Sequence, residues 1–131
     1  MNFEITAIYT SLIAILTLLL AYRVTVFRRQ LNAGLGDKGH RAFSVAIRAH
    51  ANMIEYAPIS LLLLLFAENL IQSSLVIHGF GGLFVLSRAA HAFGYTRALG
   101  GYSPFRMYGI LLNWLVMFLL SLCNLYWVLM S

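Results

Sequence analysis

Three side chains that could hold a charged ligand lie close together in the chain: Arg48, Asn52 and Glu55. On an α-helix, with about 100° between successive residues, they fall within an arc of roughly 60°. The stretch runs directly into the apolar residues 59–66, so it reads as part of a membrane-spanning helix. Ionisable groups at membrane depth survive mainly where they face a protein interior or a watery cavity. This face is therefore the first candidate functional site.

A second set of polar side chains has similar spacing: Arg88, His91 and Tyr95 also fall within roughly a 60° arc, and Arg106 follows at the start of the next apolar segment. Several arginines with one glutamate make a net positive site, suited to an anion with carboxylates. The glutamate either accepts from an ammonium group of the ligand or pairs with its neighbouring arginine. An arginine near a bound thiol favours the thiolate. A peptide with two carboxylates, an amine and a thiol fits this inventory.

The composition indicates a membrane protein. The chain is 61% hydrophobic and only 10% charged, whereas a soluble domain needs about 25% charged residues. The net charge of +5 does not predict a nucleic-acid partner, because no basic face with interleaved aromatic residues is present. No spacing of histidine or cysteine predicts a metal site. We expect one all-α domain over residues 1–131, with four membrane-spanning helices at about 5–27, 44–70, 75–95 and 107–130.

The connections between these segments predict topology. Basic residues concentrate in and beside the connections 28–43 and 96–105, so both are expected in the cytoplasm and both termini on the periplasmic side. Short connections favour a left-handed antiparallel four-helix bundle. In that arrangement the two polar sets and Arg106 converge on the cytoplasmic leaflet. Glu68 and Asn69 are expected to cap the outer end of the second helix.

The two polar sets together resemble the MAPEG family, the membrane-associated proteins in eicosanoid and glutathione metabolism. The second-helix pattern Arg-x-x-x-Asn-x-x-Glu-x-x-Pro is matched by Arg48, Asn52, Glu55 and Pro58. The third-helix pattern Arg-x-x-His/Tyr-x-x-x-Tyr is matched by Arg88, His91 and Tyr95. The layout of four spans covers the whole chain.

The resemblance implies a bacterial inner-membrane homotrimer that binds glutathione between neighbouring subunits and conjugates or reduces lipophilic electrophiles or hydroperoxides from the surrounding lipid. By the resemblance, Arg106 is the catalytic residue that activates the thiol. The residues implied to hold glutathione are Arg48, Asn52, Glu55, Arg88, His91 and Tyr95, with Arg28 standing in for a first-helix arginine of the family.

Three departures from the family pattern bear on affinity, on chemistry and on the role of Arg106. Ala51 stands where the prostaglandin synthase of the family has a further glutathione-binding arginine, and Met107 replaces a serine beside its catalytic arginine. The spacing from Arg88 to Arg106 is also longer than in the mammalian enzymes.

Other interpretations stay open. The polar residues could form a structural network that locks helices together, and Arg106 could be one more cytoplasmic charge. The chain could bind a lipid or a partner without catalysis. A small proton-coupled transporter would use Glu55 as its proton site, although the surrounding arginines would repel a cationic substrate.

Overall fold

The computed structural model describes residues 3–130, which form four α-helices. They are α1 (Glu4–Gln30), α2 (Arg41–Leu70), α3 (Ser74–Arg97) and α4 (Pro104–Met130). The four predicted helices are confirmed, and each extends one to three residues beyond a predicted end. All four are long and apolar enough to cross a membrane, which takes about 20 helical residues. The chain is thus an all-helical membrane bundle.

Local residues explain where the helices start. At α2, the His40 side chain accepts a hydrogen bond from the Phe43 backbone N–H at 3.3 Å. Pro104 is the first residue of α4, where its fixed φ suits a helix and its missing N–H leaves no donor unsatisfied. The preceding turn requires a positive φ of 80° at Gly100, a conformation that glycine adopts without strain.

The backbones of α3 and α4 come into direct contact at two glycines. A Cβ placed on Gly109 would lie 2.6 Å from the His91 backbone nitrogen. A Cβ on Gly94 would likewise collide with the Arg106 backbone nitrogen. Small residues permit such close approach between membrane helices, where packing rather than water drives association. These contacts fix the position of His91 and Arg106 relative to each other.

The connections α1–α2 and α3–α4 lie together at one end of the bundle, which we call the basic end. There Arg41 Nε donates to the Leu99 carbonyl at 2.9 Å, so the start of α2 contacts the connection after α3. Arg23 Nη1 also donates to Thr96 Oγ1 at 2.6 Å, joining α1 to the last turn of α3. In the α1–α2 connection, the N–H of Gly39 donates to the Asp37 carboxylate and lowers the pKa of Asp37.

The opposite end of the bundle corrects one expectation. Glu68 does not cap its own helix: its carboxylate oxygens accept from the backbone N–H groups of Ile5 and Thr6, each at 2.8 Å. Free N–H groups and a partial positive charge at a helix start favour a carboxylate, so Glu68 caps α1 instead. Asn69 Nδ2 donates to the Leu65 carbonyl at 2.9 Å, which is not one of the last four carbonyls of α2, so this bond does not form the predicted cap.

Candidate functional site

Arg88 is the most unusual side chain in the bundle, because it is charged and completely buried (0% exposed). Its Nη2 donates to Asn52 Oδ1 at 2.5 Å, which links α3 to α2. Its guanidinium carbon lies 5.4 Å from the centroid of the Tyr56 ring, a distance that permits a cation–π interaction. Among residues 3–130, its Nε and Nη1 have no hydrogen-bond acceptor. Buried charges are normally paired, so this arginine lacks partners that its environment demands.

Arg48 and Glu55 lie on α2, on the side of the helix that carries Asn52. Arg48 Nη1 and Glu55 Oε1 are 3.5 Å apart, a long contact for a hydrogen bond. Both side chains are about half exposed, at 53% and 50%. The pair therefore forms an open edge beside the buried Arg88–Asn52 contact, and both charges are accessible from the side of the bundle.

A second cluster joins α3 to the start of α4. His91 Nδ1 lies 3.0 Å from the Arg106 carbonyl oxygen. Since a carbonyl only accepts, this contact places a proton on Nδ1 and leaves Nε2 as the acceptor of the neutral ring. The His91 ring stacks on Tyr95 with centroids 6.0 Å apart and planes 10° apart. The Arg106 guanidinium carbon lies 4.4 Å from the Tyr95 centroid, within range of a cation–π interaction.

The Arg106 guanidinium is also bound to the preceding turn. Its Nη1 donates to the carbonyls of Gly100 at 2.7 Å and Gly101 at 3.0 Å. Within the described part of the chain, Nε and Nη2 donate to no protein acceptor. The side chain thus stabilises the connection between α3 and α4, and two of its nitrogens have no acceptor among the described residues.

Arg28 is not brought to either cluster. Its Nη1 donates to the carbonyls of Ala33 at 3.1 Å and Gly34 at 2.9 Å, and its guanidinium lies 5.5 Å from the Phe43 ring centroid. These contacts are with its own connection and the first turn of α2. From α1 it is instead Arg23 that reaches α3, through Thr96.

Sequence reasoning missed two residues of the site region, Tyr56 and Arg23. A signal for Tyr56 was present: it follows Asn52 by one helical turn, so it lies on the same face of α2. Arg23 also had a signal, because it lies inside the predicted span 5–27 whereas Arg28 and Arg29 follow that span.

The charge balance of the site favours an anion. Arg48, Arg88 and Arg106 carry three positive charges, and Glu55 carries the single negative charge among the candidate residues. Guanidinium groups bind carboxylates in a bidentate manner, and a low-dielectric setting strengthens such pairs. Arg88 has two donor nitrogens without acceptors inside the bundle, and Arg48 with Glu55 presents both signs of charge at the open side. The arrangement suits an anionic ligand that also carries an ammonium group.

Comparison with known proteins agrees with this architecture. The MAPEG family model matches residues 6–126 of the chain. Inner membrane protein YecN of Escherichia coli strain K12 is 30% identical over 124 residues, which is 95% of this chain and 92% of the relative. The protein of the same name from E. coli O6:H1 strain CFT073 matches with the same identity and coverage. This chain forms four helices able to span a membrane and matches the family model and YecN over nearly its full length. It therefore belongs to the MAPEG family.

Proposed function

We propose that this protein is a glutathione-dependent membrane enzyme that conjugates or reduces lipophilic electrophiles or hydroperoxides. The observation that carries the proposal is Arg88: it is fully buried, yet two of its donor nitrogens have no acceptor in residues 3–130. A buried, unpaired guanidinium is costly, so a bound carboxylate is the natural missing partner.

The donor and acceptor set of the site fits glutathione. Its carboxylates match the arginines, and its ammonium group matches Glu55, whose carboxylate is half exposed. The family resemblance assigns the same positions. The residues proposed to hold glutathione are Arg48, Asn52, Glu55, Arg88, His91 and Tyr95. From the first helix the resemblance assigns Arg28, and Arg23 is the alternative because it already reaches α3.

Glutathione, when bound, supplies the thiol nucleophile of the proposed reaction. Arg106 keeps Nε and Nη2 available beyond its bonds to the connection, and a guanidinium there stabilises negative charge on sulfur. His91 holds its proton on Nδ1 against the Arg106 carbonyl and presents Nε2 as a proton acceptor. Asn52 fixes the orientation of the Arg88 side chain through the 2.5 Å hydrogen bond. Less conformational entropy of this side chain is therefore lost when a ligand binds.

We propose a homotrimer because of the open edge of α2. Arg48 and Glu55 are half exposed on a helix apolar enough to span a membrane, and lipid contact with such charges is costly. A neighbouring copy that covers this face removes the cost and completes the site between subunits. The trimeric number follows the family resemblance, and the left-handed antiparallel arrangement follows the short connections. By the positive-inside rule the basic end lies in the cytoplasm and the termini in the periplasm, in an inner membrane as named for the relative YecN.

A second candidate function is binding without catalysis. It is favoured by one observation, the two hydrogen bonds that Arg106 Nη1 already donates to Gly100 and Gly101. An arginine with a purely structural role would donate such hydrogen bonds to the backbone. In that case the site would bind glutathione or a related peptide but would not ionise its thiol.

Turnover and binding measured on the same variants separate these two functions. We expect Arg106→Gln to abolish glutathione-dependent consumption of a lipophilic hydroperoxide while calorimetry still detects glutathione binding. Arg29→Gln is the matched control, since Arg29 is an exposed arginine at the same end of the bundle. Equal, measurable turnover in both variants contradicts the catalytic role of Arg106. Absence of glutathione binding to the unaltered protein contradicts the proposed function as a whole.

A further inference from the structure

A polar pocket lies at the end of the bundle opposite the basic end, and we call it the Glu68 pocket. It has a volume of about 340 Å³ and is formed by the start of α1, the end of α2 and the first turn of α3 with the connection before it. Polar and apolar residues share its wall, among them Glu68, Gln72, Ser74, Ile5, Ile71 and Ile77. About 20 Å of helix separates Glu68 from Glu55, so the pocket is remote from the candidate site.

Glu68 is the charged group of the pocket, and its side chain is only 7% exposed. Its two carboxylate oxygens accept from the backbone N–H groups of Ile5 and Thr6, each at 2.8 Å. These donors are neutral, and the start of α1 contributes only about half a positive charge. Each carboxylate oxygen can accept a further hydrogen bond. Glu68 therefore keeps both negative charge and acceptor capacity in the wall of the pocket.

The charges around the Glu68 pocket are negative. The Lys and Arg residues of the chain lie at positions 23–48 and 88–106, whereas the helix ends around the pocket carry Glu4 and Glu68. Within residues 3–130 the salt bridge that occurs does not involve Glu68. A polar pocket with a buried carboxylate and no basic side chain in its wall attracts a cation.

The composition of the wall favours an ammonium group over a metal ion. A calcium ion takes about six to eight oxygen ligands, commonly from several carboxylates, and this pocket has a single carboxylate. An ammonium group needs acceptors for three N–H donors, and Gln72 and Ser74 add amide and hydroxyl oxygens to those of Glu68. The isoleucines of the wall offer an apolar surface to an alkyl chain.

We propose that the Glu68 pocket binds a primary ammonium group on a short alkyl chain, with the ammonium at Glu68 and the chain against Ile71 and Ile77. A volume of about 340 Å³ is at the low end for ligand pockets and suits a small amine. Both a soluble alkylamine and the ethanolamine headgroup of a phospholipid carry this group. The inference does not rest on the proposed glutathione chemistry, which concerns the other end of the bundle.

Binding of n-butylammonium tests this site in the full chain. The protein is purified in a maltoside detergent without glutathione, and binding is measured by saturation-transfer NMR. We expect saturable binding of butylammonium and about tenfold weaker binding of butanol, which has the same chain without the charge. Ser74→Phe fills the pocket without altering the Glu68 carboxylate and should weaken butylammonium binding about tenfold. Leu75→Phe, at a neighbouring position that is 84% exposed, is the matched control and should leave binding unchanged.

The charge is tested separately. Glu68→Gln should weaken butylammonium binding about tenfold and leave butanol binding unchanged, a difference that partial unfolding of the variant would not produce. No saturable binding of butylammonium, equal binding of butanol, or full affinity in both Ser74→Phe and Glu68→Gln overturns the site.

Added phospholipid distinguishes the two sources of the ammonium group. Displacement of butylammonium by phosphatidylethanolamine but not by phosphatidylcholine assigns the pocket to a lipid headgroup, and displacement by neither assigns it to a soluble amine. Equal displacement by both lipids contradicts recognition of a primary ammonium group, because the choline nitrogen has no N–H donor. Since glutathione is absent from these experiments, their failure leaves the glutathione proposal standing, and the reverse also holds.

Discussion

Replacement of Arg88 by methionine separates a ligand-binding arginine from a structural one. Arg88→Met keeps the unbranched apolar stem of the side chain, shortens it by the guanidinium group, and removes a charge on a side chain that is 0% exposed. The variant loses the hydrogen bond to Asn52 and leaves Asn52 Oδ1 unpaired, which costs about 1–3 kcal/mol. It also removes a guanidinium whose Nε and Nη1 have no acceptor in residues 3–130, and burying such a charge costs several kcal/mol.

The second of these effects is the larger, because only one Arg88 nitrogen has a hydrogen-bond partner while the whole charge is buried. We therefore expect the ligand-free Arg88→Met protein to be as stable as the unaltered protein or up to about 2 kcal/mol more stable. Its glutathione affinity should nevertheless fall about tenfold or more, the effect of losing a charge-assisted hydrogen bond of at least about 1.5 kcal/mol.

Both quantities are measurable on the same detergent-solubilised samples. Unfolding in mixed micelles of increasing sodium dodecyl sulfate content gives the free energy of unfolding, and isothermal titration gives the glutathione affinity. Asn52→Leu in the Arg88→Met background removes the unpaired amide and should restore any stability lost there. A ligand-free Arg88→Met protein destabilised by about 3 kcal/mol or more, with glutathione affinity unchanged in the folded fraction, would refute this reasoning and favour a structural polar network.

The remaining predictions concern the two ends of the bundle and the contact of α3 with α4. Glu68→Gln should lower the free energy of unfolding by about 1–2 kcal/mol, because a charged cap is weakened, and should speed amide hydrogen exchange in the first turn of α1. Gly109→Ala should cost about 1–3 kcal/mol and reduce turnover by displacing His91, whereas Gly79→Ala, with no atom near its Cβ, should be neutral or slightly stabilising. Arg106→Lys should retain less than about a tenth of the turnover, since an ammonium group lacks the planar fork that serves both the connection and the thiol.

Most of the fold could be predicted from the sequence, because four long apolar stretches separated by short basic or polar connections leave a membrane chain few alternatives. The helix ends were less predictable. They depend on single local contacts, such as the His40 side chain on Phe43 N–H, which extend α2 to Arg41. The prediction for Glu68 was wrong for a related reason: its partners, Ile5 and Thr6, are 63 and 62 residues away, and no local pattern indicates them.

The candidate site was predictable as two helical faces but not as a set of contacts. Spacing alone put Asn52 on one face and Arg88 on another, and the structure joins them at 2.5 Å. Spacing could not reveal that Arg106 is bound to the connection before it. The position of Arg106 depends on the turn at Leu99 and Gly100, where φ is positive at 47° and 80°. The Gly100 carbonyl in this turn accepts a hydrogen bond from the Arg106 guanidinium. Side-chain contacts of this kind depend on turn geometry that composition does not specify.

The most direct test of the proposed function is the ultraviolet absorbance of thiolate when glutathione is titrated into the purified protein at a series of pH values. If Arg106 stabilises negative charge on sulfur, a saturable thiolate signal appears at pH values where free glutathione remains a thiol, and Arg106→Gln loses that signal while still binding glutathione. Saturable binding with no thiolate signal below the pH at which free glutathione ionises would contradict the catalytic account and leave a binding protein.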